Sequence, residues 1–185
     1  MPRRTHSVLP DVLARGLTVV FCGTAPGTRS AHDHAYYAHP GNYFWRTLSD
    51  IGLTPRRLAP AEFRSVIEFG IGLTDVAKHA FGSDAELPRD AFDAAALARK
   101  LVKYHPRIVA FTSKNAARAG LGLRSQAIAY GEHATRLAGC RVFILPSPSG
   151  QARGFWDIAP WQMLADAVHK AASAHSQRSG VCRGR

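Results

Sequence analysis

Three apolar runs, Leu17 to Cys22, Arg107 to Thr112 (RIVAFT) and Arg141 to Leu145 (RVFIL), constrain the fold of this chain more than any other feature. None shows the alternation of a strand with one wet face. All are rich in β-branched and aromatic residues, the pattern of strands covered on both faces in a parallel sheet. A fourth stretch, Gly70-Ile71-Gly72-Leu73-Thr74, completes the set. Helical patterns lie between and around them, over Asn42 to Ile51, Pro60 to Ile67, Ala91 to Tyr104, Lys114 to Gly120 and Pro160 to Ala174. The expected architecture is therefore α/β: three α/β/α layers around a central, mainly parallel four-stranded sheet. Local stops agree with it. Gly52 and Thr54-Pro55 end one helix, Pro88 precedes another, Ser113 is placed to cap the helix after the third run, and Trp161, Leu164, Ala165 and Val168 form a core-facing stripe on the last.

A chain of 185 residues suits one domain and buries roughly 70% of its unfolded surface. The domain is expected over residues 1–173. Beyond it, Ser, Gly and Arg dominate residues 174–185, which reads as a disordered basic tail. The 24 basic and 13 acidic residues leave a formal charge of +11. Setting aside Arg3, Arg4, Arg178, Arg183 and Arg185 in the ends still leaves about +6 on the body, so the excess is spread over the fold. Such a balance favours a polyanionic partner, whose phosphates release counterions when neutralised. Cys22, Cys140 and Cys182 are too few and too scattered for a disulfide framework, a zinc site or an iron–sulfur cluster. With no membrane-length apolar run and no hydrophobic signal core at the N-terminus, a cytoplasmic monomer without metal or cofactor is expected.

The chemistry concentrates at two loops. The first strand stops at Gly23-Thr24-Ala25-Pro26-Gly27, a tight turn of the kind where ligands of open α/β sheets sit, and Ala38-His39-Pro40-Gly41-Asn42-Tyr43-Phe44-Trp45 follows. The second loop, Leu145-Pro146-Ser147-Pro148-Ser149-Gly150-Gln151-Ala152-Arg153, follows the RVFIL strand. With Gly72-Leu73-Thr74 between them, these blocks resemble the ordered motifs of the uracil-DNA glycosylase superfamily, closest to its mismatch-specific uracil/thymine branch, from about Leu17 to His169. The resemblance implies an enzyme that flips a nucleotide out of DNA and hydrolyses the bond between uracil and sugar without cutting the strand. A rival damaged base (hypoxanthine, xanthine, an etheno adduct or mismatched thymine) and a lesion-binding module without turnover are the alternatives.

The resemblance also assigns roles. Gly23, Thr24, Ala25, Gly27, Tyr37, Asn42 and Asp75 are expected to line the base pocket. Tyr37 takes the family's stacking position, although an aromatic beside Ala-His-Pro also suits plain packing. Ser147 is placed to donate to the departing base, where turn chemistry is its other reading. Asp75 stands where the family tends to have Asn or Lys; a carboxylate there accepts from the base N3–H, repels an anionic leaving group or faces water. Gly27 leaves room for a thymine methyl, unless Tyr36, Tyr37 or His34 closes the same space. Ala25 replaces the asparagine that positions the attacking water. The nearby His32-Asp33-His34 cluster is the first substitute, with Asp33 as general base or as a charge opposite an oxocarbenium-like sugar and His34 supplementing it; an ordinary solvated loop is the alternative. Gly150, Gln151 and Arg153 are expected at the DNA, as a wedge and a phosphate contact or as a turn before the last helix. Lys114, Arg118, Arg124 and Arg136 are further backbone contacts or simply solvated charges.

Overall fold

The computed structural model describes residues 7–123 and 128–180, without the side chains of residues 153, 155 and 175–180. Strands β1 (Val19–Gly23), β2 (Ile71–Asp75) and β3 (Ile108–Phe111) coincide with three of the apolar runs, and all their residues are buried. Strand β4 (Gly131–Leu137) precedes β5 (Cys140–Ile144), and the sheet runs in the order β2-β1-β3-β5-β4. The pairs β1–β2, β1–β3 and β3–β5 are parallel, whereas β4 lies antiparallel on β5.

The sheet therefore has five strands, correcting the expected four. Strand β4 is polar and mostly exposed, so it carries none of the continuous apolar character that marks the interior strands. It joins β5 through Ala138 (φ 50°) and Gly139 (φ 85°), both left-handed, as a two-residue hairpin requires. An alanine in the first of those positions hides the usual Asn-Gly signal.

Alternate residues of each interior strand feed two cores. Val19, Phe21, Ile71, Leu73, Ile108, Ala110 and Phe143 face one layer, with Phe44 and Leu48 of one helix and Trp161 and Leu164 of another. Cys22, Val109, Phe111, Val142 and Ile144 face the opposite layer, with Leu97, Leu101, Ala116 and Ala117. The helices are α1 (Thr28–His32), α2 (Phe44–Asp50), α3 (Ala94–Tyr104), α4 (Lys114–Leu121) and α5 (Ala159–Gly180), with a 3-10 stretch at Pro60–Phe69 on the first layer.

Caps set the boundaries. Ser113 accepts from the Ala116 N–H at 2.9 Å, as expected, and opens α4. Asp93 accepts from the Ala96 N–H at 2.7 Å, so α3 starts three residues later than its periodicity suggests. Helix α1 is too short to announce itself by periodicity. The predicted stripe on α5 is buried throughout, and Trp161 stacks on Phe21 with ring centroids 5.8 Å apart. Helix α5 runs to Gly180, across residue 174 where the basic tail was expected to begin; residues 181–185, with Arg183 and Arg185, lie outside the described residues, as do Arg3, Arg4 and Arg124. Among the described residues no helix is long and apolar enough to cross a membrane.

Candidate functional site

Parallel order brings the C-terminal ends of β1, β2, β3 and β5 to one edge of the sheet, and the loops that leave them carry the polar side chains. Gly23 closes β1 directly opposite Asp75, the last residue of β2. The two ends are laced by backbone bonds, Val76 N–H to Gly23 C=O at 3.0 Å and Ala77 N–H to Thr24 C=O at 2.8 Å, and the Thr112 N–H beyond β3 reaches the Cys22 C=O at 3.1 Å. A glycine is required at 23 by close approach. A Cβ there would sit 2.6 Å from Asp75 Oδ1 and 3.7 Å from the Tyr37 hydroxyl, so these two side chains occupy the space that a side chain at 23 would fill.

Tyr37 reaches this edge from the segment after α1. Its backbone is left-handed (φ 53°), an uncommon state for an aromatic residue, and three contacts hold it there. One ring face lies on Phe44 at 3.8 Å between centroids, Trp45 meets it edge-on at 6.5 Å, and its hydroxyl stands 3.4 Å from Thr112 Oγ1. Burial first, and the charge of Asp75 second, push the phenol well above its ordinary value, so it is a neutral hydroxyl at working pH. Thr24 Oγ1 lies 3.4 Å from Ser113 Oγ, adding two hydroxyls between the ends of β1 and β3.

Asp75 is 4% exposed, and its Oδ2 accepts no hydrogen bond from any described group. Burial pushes its carboxyl up to about 6 against the downward pull of Lys78, with Asp11 adding to the rise and Tyr36 and Lys100 opposing it. Oδ2 faces Lys78 Nζ at 3.8 Å, and Oδ1 is the oxygen turned toward Gly23.

The second loop is pinned beside the first. The Tyr43 N–H donates to the Pro148 C=O at 2.8 Å, and a Cβ on Gly150 would meet the Gly41 carbonyl oxygen at 3.0 Å, so here too a glycine permits close approach. Trp161 Nε1 donates to the Pro146 C=O at 3.1 Å from the core below. Ser147 Oγ accepts from the Ser149 N–H at 3.3 Å, which is the turn chemistry weighed for it, and its own hydroxyl proton remains to be donated. Gly150 and Gln151 begin a 3-10 turn (Gly150–Phe155); the side chain of Arg153 lies outside the described residues.

Beside Tyr37 opens a cavity of about 430 Å³ lined by Tyr37, His39, Asn42, Trp45 and Arg57, among others. Asn42 spends its Oδ1 on the Phe44 N–H at 2.9 Å, opening α2 and leaving its amide NH2 toward other partners. This cavity and the strand-end cluster share Tyr37; neither Asp75 nor Ser147 lines it.

Other expected residues stand apart from this cluster. Asp33 lies at the end of α1, where Oδ2 takes the Arg29 Nε–H and Oδ1 is 2.7 Å from His32 Nδ1. Those hydrogen bonds, His32 first and Arg29 second, hold its carboxyl below the ordinary value, which makes it a stable anion and a poor proton acceptor. His34 is exposed with a left-handed backbone (φ 50°). Ala25 brings only a methyl to the turn. A side chain on Gly27 would meet no atom within 4 Å, so the space beside this position is open.

Sequence reasoning overlooked Arg57 and, behind Asp75, the buried group of Asp11, Lys78 and Lys100 that Tyr36 joins. Lys78 follows Asp75 by three residues and Tyr36 adjoins Tyr37, but both sit in loops where no periodicity marks a residue as buried.

The family model for the uracil DNA glycosylase superfamily matches residues 10–165 of this chain. A solution NMR structure of a candidate uracil DNA glycosylase from Methanosarcina acetivorans is similar in fold, with a TM-score of 0.63 and 22% identity, covering 89% of this chain and 98% of that one.

Proposed function

Since the chain belongs to the uracil DNA glycosylase superfamily, we propose that it removes uracil from DNA by hydrolysing the N-glycosidic bond of a flipped nucleotide, leaving an abasic site. The observation that carries this reading is the convergence of Tyr37 and Asp75 on Gly23: an aromatic side chain, through its hydroxyl, and a buried carboxyl, through Oδ1, meet at the ends of parallel strands. Those are the two things an extruded pyrimidine needs, a surface to stack on and a partner for its Watson–Crick edge. Gly23, Thr24 and Ala25 form the floor, Asn42 offers its amide from the neighbouring cavity, and Ser147 donates to the base as negative charge builds on it. Gly27 leaves space beside a C5 methyl, so thymine is not excluded at this position. Gly150, Gln151 and Arg153 meet the DNA at the flipped site, and the +11 charge supplies affinity for its phosphates. Of the two roles open to Asp33, its donor-paired anion fits charge stabilisation of the sugar, seconded by His34, better than proton abstraction.

The test is release of free uracil from an oligonucleotide holding one uracil, followed by alkaline cleavage at the abasic site. Release that collapses in Tyr37→Ala supports the reading. Tight binding to the uracil strand without release identifies a lesion-recognition protein, the role that Ala25 favours as second reading. Neither release nor preference for uracil-containing strands overturns both.

A further inference from the structure

Behind the strand-end cluster lies a buried charged group that base excision as such does not demand. Lys78 is 7% exposed, and its Nζ stands 2.9 Å from the Tyr36 hydroxyl, 3.0 Å from Asp11 Oδ1 and 3.8 Å from Asp75 Oδ2. Two carboxylates thus face one ammonium, and they are not equivalent. Asp11 is saturated: Oδ1 also accepts from Thr74 Oγ1 at 2.7 Å, and Oδ2 pairs with Lys100 Nζ at 2.7 Å. Asp75 turns Oδ2, which accepts no hydrogen bond from any described group, toward Lys78, and turns Oδ1 toward Gly23 at the end of β2. The lysine is therefore committed to Asp11 and Tyr36 at hydrogen-bond distance and acts on Asp75 by charge alone.

Resting on the reading above, we propose that Lys78, with Tyr36, is a positioning residue that presents Asp75 as an acceptor-only reader, so that the site admits bases with a ring N–H and turns away bases with a ring lone pair at the same place. Uracil, thymine, hypoxanthine, xanthine and guanine belong to the first class, cytosine and adenine to the second. With Oδ2 held toward Lys78, a ring N–H is accepted by Oδ1, the oxygen on the Gly23 side. A cytosine N3 points a lone pair at it, and the buried carboxylate is left both unpaired and repelled. Discrimination of uracil from cytosine, and of hypoxanthine from adenine, then follows from one side chain whose ionisation its neighbours control.

Every group facing Asp75 bears on that ionisation. Lys78 from the loop after β2 and Lys100 from α3 favour the anion, as does the Tyr36 hydroxyl, while Asp11 of the N-terminal segment opposes it. Cys22 of β1 and both tyrosines are pushed upward, by burial first, and stay protonated. Asp11 is brought below the ordinary carboxylate value, because Lys78, Lys100 and Thr74 outweigh its burial, and stays ionised. Asp75 is the carboxyl that gains its proton near pH 6. Once neutral it both donates and accepts, and a cytosine edge is accommodated as well as a uracil edge.

The experiment measures binding of the full chain to oligonucleotides holding one 2′-fluoro-2′-deoxyuridine or one 2′-fluoro-2′-deoxycytidine, sugars that resist cleavage, between pH 5 and pH 8. The expected result is a preference for the uracil strand of about tenfold or more at pH 7.5, shrinking several-fold as pH falls through 6. Asp75→Asn should lose most of the preference and all of its pH dependence. Lys78→Met, and Tyr36→Phe as the milder variant should the first fail to fold, should move the pH at which the preference shrinks upward. A preference that ignores pH, or survives Asp75→Asn with its pH dependence intact, overturns the inference while uracil release by the wild type leaves the enzyme reading standing. Equal binding of both strands together with no uracil release fails that reading itself.

Discussion

Replacing Gly23 with alanine adds one methyl at the centre of the candidate site, and its sign is decided by two opposed effects. Gly23 has no positive φ, so alanine fits its backbone and gains about 0.4–1 kcal/mol by restricting the unfolded chain. Against this, the new Cβ would lie 2.6 Å from Asp75 Oδ1, and both residues are fixed as Cα partners of two wholly buried strands. Relief requires the carboxyl to turn away among Tyr36, Lys78 and Cys22, overpacking that costs about 1–3 kcal/mol. The clash wins by about 1–2 kcal/mol, or roughly 2–8 °C in Tm for a chain of this size.

The assay is a double-mutant cycle of thermal melts with Asp75→Ala. Deleting the carboxyl disturbs Lys78 equally with either residue at 23, so that effect cancels, and without the oxygen Gly23→Ala should become neutral or stabilising. A coupling of at least about 1 kcal/mol between the two positions is expected. Uracil release by Gly23→Ala should also fall, since the displaced carboxyl no longer meets the base. The reasoning is refuted if Gly23→Ala costs the same in both backgrounds or stabilises the wild type.

Two further substitutions report on the same edge. Asp75 has a folded value near 6 against an ordinary 3.8, so the folded protein binds its proton more tightly than the unfolded chain does. Its stabilising contribution is complete below about pH 4 and is lost as pH rises through 6, a change of about 3 kcal/mol by linkage. Compared with Asp75→Asn across pH 4–8, the wild type should therefore lose stability with rising pH; denaturant titrations that run parallel for the two proteins contradict this. Ser113→Ala removes the cap of α4 and the partner of Thr24, and should lower stability by about 1 kcal/mol, measured by the same titrations.

The interior of this fold is legible in the sequence because strands buried on both faces read as continuous apolar runs, and β1, β2, β3 and β5 do so apart from Thr74 and Asp75 at the end of β2 and the half-buried Arg141 of β5. Strand β4 is not legible for the complementary reason: an edge strand facing water needs no apolar residue beyond Gly131 and the half-buried Leu137, and its hairpin turn uses Ala138 where asparagine is the readable choice. In the site, the motif turn, Tyr37, Asp75 and the Pro146 to Ser149 loop could be located from the chain alone, since turn residues and aromatic blocks at strand ends stand out locally. The relation between them could not. That Asp75 lies against Gly23, that Lys78 is buried three residues beyond it, and that Asp11 arrives from the N-terminal segment to neutralise the group are consequences of long-range packing. Asp33 shows the opposite failure: adjacency to the motif loop suggested proximity to the reaction, while a salt bridge within its own helix, to Arg29, turns it toward solvent.

That placement bears on how the chain manages with alanine at 25. Activating water needs a group able to take a proton, and Asp33 is held as an anion by two donors. The strand ends instead collect a carboxyl, an aromatic side chain and the hydroxyls of Thr24, Thr112 and Ser113, a set that on the proposed uracil-excision reading grips the base and stabilises its departing charge. If the leaving group is where the rate is made, Tyr37→Ala should lower single-turnover release by roughly 5- to 150-fold, the range for one lost base–aromatic stack. Asp33→Ala should cost less than about tenfold, because it removes a screened charge and not a proton acceptor. Should Asp33→Ala instead lose the 10²- to 10⁴-fold typical of a missing general base, proton abstraction returns to Asp33 and the Arg29 and His32 contacts must open when DNA binds.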